Sequence, residues 1–195
     1  MALGTILLVG LAAIVLWLVT AYNKFKTTET RIGASIQEIG NQLKRQAELI
    51  PNLVASVKGY MKHEQNALTK ITDARKSILS ALKSGGAQNL VNAADKLQSA
   101  MGGITAVFES TPELQAAGPT KQLMDEVRDT ADKVMYSRRT LIDLTADYNV
   151  MVVTVPTNLV ANMFKFEAKP GLKTAATGEH LEVKASEMKT PKVEL

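Results

Sequence analysis

The sequence predicts an all-α protein in which an N-terminal transmembrane helix continues into an antiparallel, up-and-down helical bundle. Three observations carry that prediction. No charged side chain occurs from Met1 to Asn23. From Phe25 onward the apolar residues recur every three or four positions, the spacing of one helix face. No long alternating run of the kind that marks a strand appears before residue 156.

The first element is Leu3–Tyr22, twenty residues without a charge, long enough to cross a hydrocarbon layer of about 30 Å as a helix. Leu7, Leu11 and Val15 lie along it, and Trp17 and Tyr22 stand towards its C-terminal end, where interfacial aromatic residues are expected. The competing reading is a cleaved signal peptide, for which Val19 and Ala21 supply a weak small-residue site. The absence of a basic leading region and the length of the apolar run favour an uncleaved anchor over residues 1–23. Lys24, Lys26 and Arg31 follow directly, so the positive-inside rule places a short N-terminus outside and the body in the cytoplasm. The expectation is a single-pass protein of the inner (cytoplasmic) membrane.

The bundle is expected over residues 24–168. Ile32, Ile36, Ile39, Leu43, Ile50, Leu53 and Val57 form one stripe, and Leu68, Ile71, Ile78 and Leu82 a second, stopped by Ser84-Gly85-Gly86. A third runs through Leu90, Ala94, Leu97, Met101, Ile104 and Phe108. Ser110-Thr111-Pro112-Glu113 then reads as a helix start, with a capping hydroxyl before proline, and Gly118-Pro119 punctuates again. The last stripe is Leu123, Val127, Val134, Leu141, Tyr148 and Val152, ending before Pro156. Helices are therefore predicted over 24–60, 64–83, 87–109 and 119–155. A kink at Pro51, with one long helix running past Gly59, would leave three long helices instead of four. Nothing breaks the chain between the anchor and Gly33, so the membrane helix is expected to run straight into the first bundle helix.

Composition excludes most chemistry. The 195 residues hold no cysteine and only two histidines, which removes disulfides, thiolate catalysis and cysteine zinc sites. The net charge of +4 is too small to indicate a nucleic-acid partner. It is also uneven: residues 24–83 carry 11 basic and 5 acidic side chains, residues 87–155 carry 6 and 9. Such halves are either differently solvated faces or complementary ones that meet within the bundle or between copies. The cluster Asp125, Glu126, Asp129 and Asp132 puts three carboxylates near one helix face. A di-iron bundle would also need Glu-x-x-His on two helices, and Tyr60 stands three residues before His63; acidic residues favouring a first turn explain the cluster. His63-Glu64 lacks a nucleophile and an orienting partner. No glycine-rich phosphate loop or G-x-S-x-G element is present. The reading is a non-enzyme with no cofactor and no metal.

Pro156–Phe166, PTNLVANMFKF, is the segment best suited to contact something else. Leu159, Met163, Phe164 and Phe166, with Lys165 and then Lys169, resemble an interfacial amphipathic segment with a basic edge, or alternatively a cap on the bundle core. Four up-and-down helices would return this segment to the membrane; three would leave it at the far end. Residues 169–195 form a polar tail, in which His180-Leu181-Glu182-Val183-Lys184 alternates like a short strand.

Particular runs of residues resemble the LemA family. Tyr22-Asn23 follows the anchor, and Gln42 to Val54 contains Leu49-Ile50-Pro51-Asn52-Leu53-Val54, the most specific part. Val57-Lys58-Gly59-Tyr60 with Lys62-His63-Glu64, Ala74-Arg75, Asp147-Tyr148-Asn149 and Pro156-Thr157-Asn158-Leu159-Val160-Ala161 with Phe164 and Phe166 extend the resemblance over about residues 1–168. Gln46 and Glu48 stand where the family usually has Arg and Asp, and Val155-Pro156-Thr157 where Phe-Pro-Ser is common. The resemblance implies a membrane-anchored helical bundle with no established enzymatic activity and no catalytic residues to carry over. A relative in the magnetosome membrane system adds, by analogy, a role in membrane organisation.

The expected function is a single-pass scaffold that self-associates, as a homo-oligomer with coiled-coil-like packing, and organises or remodels the lipid bilayer. Candidate contacts are the faces around Leu43-Ile50-Leu53 and Leu123-Val127-Val134, together with Pro156–Phe166. The alternative is a tethered adaptor that recruits another protein, such as a membrane protease, through its bundle face or tail.

Overall fold

The computed structural model describes residues 2–61 and 65–173. Six helices follow in chain order: α1 Ala2–Val57, α2 Gln65–Ser84, α3 Ala87–Ser110, α4 Pro112–Ala116, α5 Gly118–Val153 and α6 Thr157–Phe164. Four are long and alternate in direction, as the apolar stripes predict. The short α4 and α6 are additions to the four predicted helices: α4 begins at Pro112, within the helix start read at Ser110–Glu113, and α6 follows Pro156, where the last predicted helix ends. His63-Glu64, His180 and the alternating stretch at 180–184 lie outside the described residues.

Anchor and first bundle helix are one rod of 56 residues, about 84 Å at 1.5 Å per residue. Its buried side from Ala21 through Phe25, Thr28, Ile32, Ser35, Ile39, Leu43, Gln46, Ile50 and Leu53 to Val57 advances by threes and fours without interruption. The facing side of α5, from Thr120 through Met124, Val127, Val134, Leu141 and Leu144 to Tyr148, keeps the same spacing. The two helices therefore mesh as an antiparallel coiled-coil-like pair, with Arg45 and Gln46 meeting Glu126 and Val127 at one level and Phe25 meeting Tyr148 at another. Hydroxyls on these seams bond back along their own helix, Thr28 to the Lys24 carbonyl, Ser35 to that of Arg31 and Thr130 to that of Glu126, so their burial leaves no donor unpaired.

Pro51 lies inside α1 without ending it. Proline cannot donate to the carbonyl four residues back, that of Ala47. Arg75 of α2 supplies the missing donor, its Nε lying 2.8 Å from the Ala47 oxygen. The carbonyl that Pro51 would leave without a helical donor is thus satisfied by a bond between neighbouring helices. The chain turns only after Val57, where the amides of Tyr60 and Met61 close on the carbonyls of Val57 and Lys58.

The α2–α3 hairpin turns through Gly85 and Gly86, with φ of 70° and 86°, a region in which glycine alone is unstrained. That turn reaches α1 at Gly40, against Leu82 and Leu90. Near the other end of the hairpin α2 and α3 approach so closely that a Cβ on Gly103 would come within 2.9 Å of the Ala67 Cβ. At Thr111 the expected side-chain cap does not form. Gln115 instead folds back to the carbonyls of Phe108 and Glu109 at 3.3 and 2.8 Å, closing the end of α3, and α5 begins one step later at Gly118-Pro119.

The two candidate contact faces are core. Leu43, Ile50 and Leu53 are at most 2% exposed, and Val127 and Val134 are buried opposite them. Among the described residues one ion pair, Arg45–Glu126, joins the basic half to the acidic half; the remaining charge asymmetry lies on solvated faces.

Candidate functional site

α5 returns to the end of the bundle from which the anchor leaves, and α6 closes over it. Thr157 makes the join: its hydroxyl donates to the Met151 carbonyl at 2.7 Å and lies 3.0 Å from that of Thr154. α6 buries Val160 and Ala161 and ends at Lys165, which takes a left-handed conformation (φ 56°). The Phe166 amide then bonds back to the Ala161 carbonyl at 2.9 Å. This reversal separates two aromatic residues that stand two apart in sequence.

Phe166 turns inward. It stacks on Phe25 with 4.6 Å between ring centroids and 14° between planes, while Phe25 meets Tyr148 edge-on at 5.6 Å. Phe164 stays outside, 47% exposed, with one face 4.8 Å from Tyr22. Of the five residues predicted to contact lipid or a partner, Leu159, Met163, Phe164 and Lys165 are therefore on the surface, and Phe166 is a structural wedge. Trp17 and Tyr22, expected at the interface, are half-buried against this cluster, whereas Leu7, Leu11 and Val15 stand fully clear of the bundle. Val153 and Val155, at the α5–α6 corner, are 69% and 80% exposed. With Leu159, Met163 and Phe164 they form an exposed apolar collar on the α5–α6 segment, where Phe164 lies beside the base of the anchor at Tyr22.

A polar clasp holds the collar in place. The Asn149 side chain receives the Lys169 amide on Oδ1 at 2.8 Å and donates Nδ2 to the Lys169 carbonyl at 2.9 Å. Both backbone groups of one residue are thus satisfied by one side-chain amide. The Lys169 ammonium then bonds to Glu29 of α1 at 2.7 Å and lies 5.0 Å from the Tyr148 ring centroid. Glu29 also accepts from Lys26 at 3.1 Å, and Lys26 lies over Phe166 at 5.3 Å. The hydrogen bond from Lys169, and next that from Lys26, hold the Glu29 carboxyl below its usual 4.5. Burial pushes the Tyr148 hydroxyl up.

Elsewhere the candidate chemistry is absorbed by ordinary pairing. Asp125, Glu126 and Asp129 face Arg128, Arg45 and Lys133. Among the described residues no group of three or more histidine or carboxylate side chains is placed to share a metal ion. The clasp escaped sequence reasoning because Glu29 and Lys169 are 140 residues apart. The Arg75–Ala47 bond left a fainter trace, since a proline inside an amphipathic stripe implies an orphaned carbonyl in search of a donor.

Among the described residues, one helix, Ala2–Val57, is long and apolar enough to cross a membrane, and its most apolar stretch is not buried in the bundle. The model of the LemA family matches residues 35–191, most of the chain. No curated protein matches it.

Proposed function

The chain belongs to the LemA family, and on that premise we propose that it is a non-enzymatic, single-pass scaffold of the cytoplasmic membrane that self-associates and organises or reshapes the bilayer. The apolar collar is the observation that carries this reading. Five exposed apolar side chains, Val153, Val155, Leu159, Met163 and Phe164, lie on the α5–α6 segment at the end of the bundle from which the charge-free part of α1 leaves. Exposed apolar groups gathered at a membrane boundary are stabilised by burial in the headgroup and acyl region. The collar makes the bundle sit on the bilayer and occupy lipid area beyond that of the anchor itself. Lys24, Lys26 and Arg31 on the same side favour a cytoplasmic bundle.

Self-association draws on α5, which is apolar on two sides. Its core side meets α1, and on its outer side Met135, Ile142, Val150 and Val153 make an exposed stripe at helical spacing, 65%, 39%, 54% and 69% exposed. That stripe runs into the collar, so one copy can pack beside another with both collars in the same plane.

Replacing Leu159, Met163 and Phe164 together by serine in the full-length protein tests the collar. The wild type reconstituted into vesicles of mixed zwitterionic and anionic lipid is expected to alter lipid order and vesicle shape. The variant should lose that effect while its helix content and thermal unfolding remain those of the wild type. An undiminished effect overturns the reading. Phe166 is unsuitable for this test, because its loss would open the Phe25–Tyr148 cluster.

A further inference from the structure

Three stretches of chain meet at the end of the bundle from which the anchor leaves, and each passes there between uncharged and charged sequence. On α1 the first charged residue after the anchor is Lys24. α5 carries Asp147 and then no further charge. Tyr148–Phe164, seventeen residues through the end of α5 and all of α6, contains no acidic or basic side chain, and Lys165 ends it. Lys24, Asp147 and Lys165 are the immediate neighbours of Phe25, Tyr148 and Phe166, and Phe25 packs against both other rings. The three changes therefore fall at one level of the molecule.

Helix register determines what lies beyond that level. Gln46 meets Val127 and Phe25 meets Tyr148, levels twenty-one residues apart on both helices (25 to 46 and 127 to 148), so α1 and α5 keep in step. Continued, the same register sets Met151 opposite Tyr22 and Val153 opposite Thr20, within the charge-free part of α1. The packing agrees: Ala21 is buried, and Trp17, Leu18 and Tyr22 are half-buried against the core. Only the fifteen residues Ala2–Leu16 are exposed at every position. They make about 22 Å of helix, short of the roughly 30 Å of a hydrocarbon layer. Adding Trp17–Tyr22 extends the span to about 32 Å and draws the α5–α6 corner in with it.

We infer that the end of α5 and α6, residues 150–164, form a re-entrant element that dips into the leaflet on the bundle's side of the membrane, beside the anchor. Lys24, Asp147 and Lys165 mark its polar boundary. Insertion rests on α1 crossing the bilayer and deepens the reading of the collar; it does not depend on self-association. The side chains suit it, since Val150, Val153, Val155, Leu159 and Met163 are all more than half exposed and no charge has to be desolvated. Backbone groups at membrane depth must find partners within the protein, and the corner supplies them. The Met151 carbonyl, past the last helical donor, accepts from the Thr157 hydroxyl at 2.7 Å. Thr154 turns its own hydroxyl back to the Val150 carbonyl at 2.8 Å. The first amides of α6, those of Asn158 and Leu159, bond to the carbonyls of Thr154 and Pro156, and Pro156 has no N–H to expose. On the other side of the boundary the charged clasp of Lys26, Glu29 and Lys169 begins at once.

Because the protein has no cysteine, single spin labels can report depth. Val155→Cys and Met163→Cys place a nitroxide on the corner, Leu11→Cys in the anchor and Tyr136→Cys on the exposed side of α5 within the bundle; all four positions are exposed. Each full-length variant is reconstituted into vesicles of mixed zwitterionic and anionic phospholipid, and its accessibility to oxygen is compared with that to a water-soluble nickel chelate. Labels at 155 and 163 should meet the chelate several-fold less than the label at 136, and oxygen more, with the label at 11 deeper still. Labels at 155 and 163 as open to the chelate as that at 136, while the label at 11 is shielded, would overturn the insertion and leave the anchor standing. A chelate that reaches all four alike would overturn both.

Discussion

Arg75 shows how one residue can decide whether a proline is tolerated. Its guanidinium occupies the place of the N–H that Pro51 lacks, on the Ala47 carbonyl. Arg75→Met should destabilise the protein by about 1–3 kcal/mol, the cost of an unsatisfied buried polar group, seen as a lower urea midpoint. Pro51→Ala restores the helical donor and should recover much of that loss in the double variant, so the two substitutions are coupled. Additive losses would contradict the assignment. At Glu29 the prediction concerns pH. Its folded pKa is lowered, chiefly by Lys169 and then Lys26, so the clasp contributes stability that is complete above the usual 4.5 and is lost as pH falls through the lowered folded value. An NMR titration should place the Glu29 midpoint below 4.5, and Lys169→Met should raise it; a wild-type midpoint at or above 4.5 would contradict the clasp. Neither contact is legible as a pair in the sequence. Arg75 and Asn149 stand in runs that resemble the family, but their partners are backbone groups 28 and 20 residues away, and no local periodicity encodes such distances.

At the scale of elements the sequence is far more explicit, because a helix face writes its burial directly into residue spacing. Ile39, Leu43, Ile50 and Leu53 predict the core side of α1, and all four are at most 2% exposed. Gly85-Gly86 predicts the α2–α3 turn and adopts the conformation that requires glycine. The short α4 lies where Thr111-Pro112 reads as a helix start but Gly118-Pro119 punctuates again within a few residues, and α6 was hidden because Pro156-Thr157 reads equally as a break and as a first turn. The α2–α3 contact makes a sharper prediction from two adjacent glycines. Gly102→Ala enters open space and should stabilise the protein by up to about 1 kcal/mol through helix propensity. Gly103→Ala brings its Cβ within 2.9 Å of the Ala67 Cβ and should cost about 1–3 kcal/mol by forcing the helices apart. Thermal unfolding of the two variants should move in opposite directions. A common direction would mean that the close approach of α2 and α3 is not a determinant of packing.

For the molecule as a whole, the number of helix reversals decides which surfaces lie beside the anchor. Four long alternating helices bring α6 back beside the anchor, which lets a segment more than 130 residues from Tyr22 place Phe164 against it. The up-and-down topology was legible from the stripes and turns. The division of Pro156–Phe166 into an inward Phe166 and an outward collar was not, because it depends on the left-handed turn at Lys165. Collar, anchor and the exposed stripe of α5 are the surfaces on which the proposed scaffold rests. Light scattering on the full-length protein reconstituted into lipid nanodiscs large enough for several copies measures that most directly. A homogeneous multimer that dissociates on Met135→Ser with Ile142→Ser is the expected result. A monomer in lipid at every accessible concentration would contradict the scaffold.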